Sequence, residues 1–430
     1  MSEFFDLLKN NRNYRFTWSG QVVSEIGDHF NNIAVFGLAL DITHSGMVVT
    51  GVMLSRAIPA VLAGPLAGVA LDRLDRKRIM ILSDVVRAVT ALGFILALRT
   101  HWASLLYIFS ALLMFASPFF TSGRASILPS IASEDELHTA NSVTQTTQWM
   151  TLTLGAFLGG LSALVGYEWA FLFNALSFVF SALCISQLRV GSGGFRAERP
   201  QLNESQVVRP WHEYTEGLRY MRATPLIFGI SLIAVGWATG GGAAQILFSL
   251  FGELVFRRGT VGIGMIWGCA GIGLVVGGVF AHWLGRRVSF ENYKITVFLC
   301  YLVHGAAYVV FSQMRSFAWA LFFIGLSRAA VAVSSVMNFA QLLKHVSNQF
   351  RGRVFSTIET MNWATMMLSM MGAGIASQTY SPRAIGAVAG LLSSTTAIFW
   401  GWATWTGRLP EPACEGIEAD EVEIHGDPVM

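Results

Sequence analysis

Gln21, Glu25, Asp28 and Asn32 follow one another at spacings of four, three and four residues, inside a stretch otherwise suited to lipid. A helix of period 3.6 places all four in one polar stripe. On a lipid-facing surface each acid would cost about 2.5–3.5 kcal/mol at the bilayer centre, so the stripe is expected to face a cavity or the bundle interior. Two desolvated carboxylates this close do not both ionise cheaply, and at least one is expected to exchange a proton near neutral pH. That is the chemistry of proton coupling or of cargo binding. The competing expectation is structural pairing with a basic group on another helix, for which Arg56, Arg87 and Arg328 are available. Asp28 is the deeper acid: counted from Tyr14 it lies about 21 Å into a hydrocarbon core of about 30 Å. His29, one residue off the stripe, is expected to hydrogen-bond at a helix contact.

Other candidates lie further along the chain. Asp84 and Arg87 stand one turn apart and are expected to form an ion pair supporting a nearby loop. Arg328, deep in its segment, could hold an anionic substrate or partner Asp28, with Asn338 and Gln341 adding polarity nearby. Glu359 and Asn362 form a second i, i+3 pair close to a segment start, which suits a gate contact. Arg124 and Arg353 stand at segment ends as supporting charges. The run WATGGGAAQ, Trp237–Gln245, puts Gly240, Gly241 and Gly242 in succession, fit for a hinge beside a cavity or for close helix packing. GCAGIGLVVGG, Gly268–Gly278, is no nucleotide loop, since no strand precedes it. Trp149 and Trp363, inside segments, either line an apolar pocket or pack.

The elements that must position these residues follow from composition. The 430 residues are 53% hydrophobic and 13% charged, with a mean hydropathy of +0.53. A soluble domain carries about 25% charged residues, so this composition belongs to a membrane protein. Runs long enough to cross a bilayer fall near 14–42, 47–71, 79–98, 104–123, 139–165 and 169–188. After a polar break they resume near 226–250, 260–284, 292–312, 317–341, 356–379 and 384–406. The expected fold is all-α, with twelve transmembrane helices in two six-helix pseudo-repeats. Its parts are an N-terminal bundle (1–188), a cytoplasmic linker (189–224), a C-terminal bundle (225–407) and an acidic tail (408–430). The linker ends in PWHEYTEGLRYMRATP, which reads as an amphipathic helix on the membrane surface. With the N-terminus inside, 21 Lys and Arg fall on cytoplasmic segments against 5 outside, so both termini are expected in the cytoplasm of a cell inner membrane. The N-terminus lacks the order of a cleavable signal.

The two halves resemble each other at an offset of about 214 residues: Gly64 falls on Gly278, Arg73 on Arg287, Leu128 on Leu342, Ser133 on Ser347 and Ser142 on Ser356. Parallel repeats of six helices are a transporter architecture with the site between halves near the midplane. Between the second and third runs stands GVALDRLDRKRIMIL, Gly68–Leu82. Gly68 allows close helix approach, and Arg73, Arg76, Lys77 and Arg78 hold the turn at the surface. Gly68, Asp72, Arg73, Arg76 and Lys77 resemble the signature loop of the major facilitator superfamily, with Asp75 in place of its second glycine. Further stretches are similar to the enterobactin-exporter and macrolide-efflux branch: NRNYRFTWSGQVVSEIGD, RASILPSIASEDELHTANS, EGLRYMRATPL and RGRVFS. The resemblance implies that Asp72 docks near the start of the eleventh helix, just after Arg351-Gly352-Arg353. Two departures weaken a direct transfer of the drug–proton mechanism. Ala156 stands where antiporters often have proline, and the fourth run has no intramembrane arginine before Arg124.

The expected function is secondary active transport: export of an amphipathic drug-, macrolide- or siderophore-like molecule by alternating access, coupled to protons through Glu25 and Asp28. A lipid carrier of the same fold and a non-transporting scaffold or sensor are the alternatives. No enzyme activity, cofactor or metal is expected: there is no ATP-binding motif, and the four cysteines have no paired spacing. The charge of +3 argues for no nucleic acid, so the partners are cargo, protons and the bilayer, with the monomer as working unit.

Overall fold

The computed structural model describes residues 7–189, 195, 210–285 and 287–412, and among these every regular element is helical. The long helices are α1 (Arg12–Thr43), α2 (Gly46–Arg73), α3 (Arg76–Thr100), α4 (Ala103–Ile131), α5 (Glu134–Gly160) and α6 (Tyr167–Ser186). A linker helix, Pro210–Ala223, precedes α7 (Pro225–Leu250), α8 (Gly259–Gly285), α9 (Phe290–Gln313), α10 (Phe317–His345), α11 (Asn348–Ala376) and α12 (Pro382–Trp405). Their starts are written in the sequence. Asn11 accepts from Tyr14 N, Asp75 accepts from Arg78 N, and Ser133 with Glu136 closes a capping box at α5.

Among the described residues, ten helices are long and apolar enough to cross a membrane. The long helices outside that set are α1, which carries Glu25 and Asp28, and α11, which carries Glu359. Their polar residues face cavities rather than lipid, which lowers their hydropathy without shortening them. Elsewhere large apolar side chains such as Leu62, Val89 and Ile398 stand exposed around the bundle, as a lipid-facing surface requires.

In the first six helices α1 packs on α5 and α6, α2 on α4, and α3 on α4 and α6. The same pairings recur six helices later: α7 on α11 and α12, α8 on α10, and α9 on α10 and α12. One hydrophobic core joins both groups through the distal part of α1 (Ile33–Leu40), Phe94, Phe248, Ile263 and Ile324. Toward the other end the core divides. Met80, Phe120 and Ile127 belong to one branch, and Ile227, Tyr293 and Trp400 to another. The groups are therefore joined away from the end that carries Arg73, Lys77, Arg351 and Arg353, called the basic end below.

At the joined end the contact is intimate. A Cβ on Gly160 would lie 3.1 Å from the Cα of Gly264, so only glycines let α5 and α8 approach this closely. Tyr167 of α6 donates to Asp41 Oδ2 of α1 at 2.6 Å, and its oxygen lies 2.7 Å from the Thr260 hydroxyl of α8. This hydroxyl bridges the two groups. Tyr167→Phe removes a bond that exists only while the joined end is shut, worth about 0.5–1.5 kcal/mol. It should move the closed-to-open equilibrium toward open by roughly threefold to tenfold, read as faster maleimide labelling of a cysteine placed at Val261 in an otherwise cysteine-free chain.

Several expectations are corrected. The linker helix packs on α11: Tyr220 stacks on Phe350 at 4.6 Å, Gly217 sits against Thr357 and the Arg353 carbonyl, and Glu216 Oε2 pairs with Arg353 Nη1 at 2.6 Å. Among its described side chains, Tyr220 and Met221 turn to protein. A Cβ at Gly68 would meet nothing within 4 Å, so that glycine serves no close approach. The glycine run does not unwind α7. Gly240 packs on Ala389 of α12 and Gly242 on Met366 of α11, while the irregular backbone is the π-turn Phe251–Val255 beyond the helix. The side chain of Asp72 lies outside the described residues, as do linker residues 190–194 and 196–209 and the acidic tail from 413. In the signature loop Arg76 donates to the Ser126 carbonyl at 2.9 Å, and Lys77 donates to those of Ser186 and Leu188 at 2.6 and 2.9 Å. These carbonyls lie near the C-terminal ends of α4 and α6, so both residues tie the loop to helices of the first six. Beyond α12, Glu411 pairs with Lys344 Nζ at 2.7 Å, which holds its carboxyl below the usual range.

Candidate functional site

The polar stripe of α1 faces a cavity of ≈ 420 Å³ whose walls are completed by α2, α3, α4 and α5. Glu25, Asp28, His29 and Asn32 line it from α1, with Arg56, Arg87, Arg124, Gln148 and Trp149 from the other walls. Gln21, itself buried, stands behind Glu25 and donates to Glu25 Oε1 at 2.8 Å. Thr151 of α5 donates to Glu25 Oε2 at 2.9 Å, and Arg124 Nη1 lies 3.6 Å from Oε1. Glu25 thereby ties α1 to α4 and α5.

Asp28 belongs to a second cluster. Arg87 Nη1 of α3 lies 3.9 Å from Asp28 Oδ2, while Nη2 binds Asp84 one turn earlier on the same helix. The Arg87 guanidinium is held between Phe120 at 4.5 Å and Phe178 at 4.3 Å, with its carbon over both rings. It is 3% exposed and Asp84 is 0% exposed, so this pair is sealed while Asp28 keeps contact with the cavity. Arg56 enters from α2, with Nη2 3.7 Å from Met114 Sδ. Asp28 Oδ1 and Arg56 Nη1 are both buried without a hydrogen-bond partner. Asp84 Oδ2, Arg87 Nε and Arg124 Nη1 share that state, and because buried polar groups are nearly always satisfied, the whole charge cluster stands out as the candidate site.

A deeper cavity of ≈ 200 Å³ shares His29, Asn32, Arg56 and Leu152 with the first and adds Gln245 of α7 and Trp267 of α8. The acid cluster is thus continuous with space bounded by both groups of helices. Arg328 does not reach it. That guanidinium packs over Phe248 at 5.1 Å, and Phe248 meets Trp267 edge-on, which leaves Arg328 one aromatic layer behind the cavity wall. The partner of Asp28 is Arg87, because α3 packs against the first six helices and α10 belongs to the second.

Arg124 is the other correction. It is no end charge: α4 runs on to Ile131, with Ile127 and Ile131 buried, so Arg124 sits two turns inside the helix and turns onto Glu25. Thr151 escaped sequence reasoning altogether, as a threonine in an apolar helix gives no signal. Glu359 and Asn362 line a separate cavity of ≈ 330 Å³ in the second six, where Trp363 Nε1 donates to Glu359 Oε1 at 2.7 Å. Among the described residues no three His, Cys, Asp or Glu side chains converge as a metal site. The arrangement offers carboxylates and guanidiniums shared between helices around a cavity. It can hold or release protons and change helix contacts as it does so.

Comparison with known proteins bears on this geometry. A family model described as the Major Facilitator Superfamily matches residues 17–349. Among curated relatives, BacE of Bacillus subtilis (strain 168), named as a candidate bacilysin exporter, is 25% identical over 354 residues, covering 81% of this chain and 84% of its own. Macrolide efflux protein A of Streptococcus pyogenes is 23% identical over 346 residues, covering 79% and 83%. Among solved structures, a bacterial homologue of the iron transporter ferroportin in its inward-facing state aligns with a TM-score of 0.67 at 17% identity, over 90% of this chain and 98% of that one. The nucleoside transporter NupG aligns with a TM-score of 0.63 at 13% identity, over 91% and 98%. These structures share the fold; the similarity to named exporters agrees with the resemblance of the α1, α5 and linker segments. With its helices, lipid-facing surface and internal cavities, this multi-pass membrane protein is a transporter and belongs to the Major Facilitator Superfamily.

Proposed function

We propose that the chain is a proton-coupled exporter of an amphipathic small molecule. In this reading twelve spans form two six-helix halves, residues 1–188 and 225–407, which rock about the cavity, with both termini in the cytoplasm. The observation that carries the reading is the cavity-facing Asp28, with one carboxylate oxygen unbonded, beside an Arg87 shared with the sealed Asp84. Membrane-embedded ionisable groups of this kind mark ion or substrate paths.

Support for the halves comes from the recurring helix pairings and from Ser133 and Ser347, which match at the repeat offset and both stand at helix N-caps. Under the positive-inside rule the basic end is cytoplasmic, so the joined end faces outward and the cavity awaits cargo from the cell. Glu25, Asp28 and Asp84 face Arg56, Arg87 and Arg124: three carboxylates against three guanidiniums. A proton on Asp28 or Glu25 leaves this set with a surplus positive charge and frees a guanidinium from its partner. Since these residues tie α1 to α3, α4 and α5, proton binding alters how the first half packs on itself and biases which end is shut.

The relatives named as exporters agree with the direction of transport, and their named cargoes suggest a small molecule. A lipid-carrier reading draws on a different feature. A mostly apolar cleft of ≈ 500 Å³ between α1, α5 and α8 is lined by Trp18, Val22, Ile26, Met150, Leu154 and Val276, and it also touches Thr151. Competition by lysolipid against drug would favour that reading. The direct test is proton flux in inside-out vesicles with a pH-sensitive dye and a panel of amphipathic compounds. Compound-driven proton release is expected from the unaltered protein and should fall to the level of empty vesicles in Asp28→Asn and in Glu25→Gln. Equal flux in all three proteins would remove these acids from the mechanism.

A further inference from the structure

The second six helices carry their own cavity, and its charge differs from that of the first. It measures ≈ 330 Å³ and is bounded by Trp237 of α7, Tyr301 of α9, Asn338 and Phe339 of α10, and Glu359 and Asn362 of α11. Every acid lining or flanking the first cavity, Glu25, Asp28 and Asp84, has a guanidinium within 4 Å. Glu359 has none: among the described residues no Lys, Arg or His forms an ion pair with it, and its carboxylate accepts from the Trp363 indole, its neighbour one turn along. The nearest basic residue on its own helix, Arg353, is taken by Glu216.

The walls complement a carboxylate that awaits a partner. Trp237 and Tyr301 present aromatic surface, and cations bind aromatic faces. Trp237 Nε1 and Asn362 Oδ1 are buried without a hydrogen-bond partner, which leaves one donor and one acceptor to orient a ligand. Asn338 cannot serve as freely, because its Oδ1 already accepts from Tyr293 OH at 2.7 Å. A net negative, aromatic, partly polar pocket selects an organic cation with an apolar body.

We propose that Glu359 is the counter-ion of the cargo and that the cargo is an amphipathic organic cation, an inference that rests on the exporter reading above. Recognition then belongs to the second half and proton exchange to the first. The two are linked by charge. A proton taken up by Glu25 or Asp28 adds positive charge to a cavity that reaches Gln245 of α7, the helix that also lends Trp237 to the Glu359 cavity, and so raises the potential that a bound cation meets. Proton binding and cargo release thereby favour each other.

Equilibrium dialysis of the purified full chain against tetraphenylphosphonium tests this, with the isosteric anion tetraphenylborate as the control. The unaltered protein should bind the cation more tightly than the anion. Glu359→Gln should weaken cation binding roughly tenfold to a hundredfold, as expected for losing the coulombic attraction of a counter-ion a few ångströms away in a partly solvated cavity. Glu359→Asp should retain most of the affinity, and Asp28→Asn, which carries the charge of the protonated acid, should weaken binding less than Glu359→Gln does. Cation binding unchanged in Glu359→Gln, or an unaltered protein that prefers tetraphenylborate or binds neither ion, would overturn the proposal. The preference of the unaltered protein settles this even if a variant misfolds. Because the readout is binding without a gradient, loss of proton flux with cation binding intact would instead count against the proton reading alone.

Discussion

Arg87→Met should cost the protein about 3–5 kcal/mol of stability, since it strands a buried carboxylate that had a charged partner. Asp84 is 0% exposed and bonded to Arg87, and Asp28 draws on the same guanidinium, so a single change orphans two acids. It also removes the slab that fills the space between Phe120 and Phe178. At about 2–4 °C per kcal/mol, the melting temperature in detergent should fall on the order of 10 °C. The double variant Asp84→Asn, Arg87→Met should recover part of the loss, because neutralising both partners of a buried pair is far cheaper than removing one. Thermal melts of the two variants and of Asp28→Asn decide the matter. Asp28→Asn leaves the Asp84–Arg87 pair whole and should melt close to the unaltered protein. A single variant as stable as the parent would mean that the pair is not what holds α3 in place.

Gly264→Val should abolish closure of the joined end. A Cβ at this position would collide with the backbone of Gly160 and with the Ala156 carbonyl, and neither can rotate away as a side chain could. The two helices must separate by the thickness of a methyl group, which breaks the packing that continues to the Tyr167–Thr260 contact. The variant should fold, because Gly264 packs against the other group rather than within its own, but it should remain open at the joined end. Transport should vanish, and cysteines placed at the joined end should label rapidly whatever the pH. Normal transport would show that α5 and α8 do not need to meet here during the cycle.

Much of this was legible in the sequence, and the reason is periodicity. Most apolar runs matched the helices to within a few residues, since a span must be long and apolar wherever it meets lipid, but α4 runs on past its expected end to Ile131 and α11 starts ahead of its expected start, at Asn348. The stripe of Glu25 and Asp28 was legible because a polar residue can sit in such a helix only on a protected face. What could not be read was who faces whom. Pairing depends on the rotation of each helix about its axis, so Arg87, one of three available arginines, could not be singled out for Asp28. Arg124 was misplaced for a related reason: Ser122, Gly123 and Arg124 interrupt the apolar run, yet α4 continues because Ile127 and Ile131 return to the core. The glycines of α7 read equally as hinge or as packing, since three glycines in a row suit either use until neighbours such as Ala389 and Met366 are known.

The central claim is that Glu25 and Asp28 couple protons to cargo rather than merely hold helices together. The measurement that tests it most directly separates coupling from passage in the same liposomes, containing the purified protein and a cationic amphipathic dye. Dye exchange at equal pH on both sides reports passage, and uphill accumulation under an imposed pH gradient reports coupling. The unaltered protein should do both, and Asp28→Asn should keep exchange while losing accumulation. Undiminished accumulation by Asp28→Asn would contradict the claim.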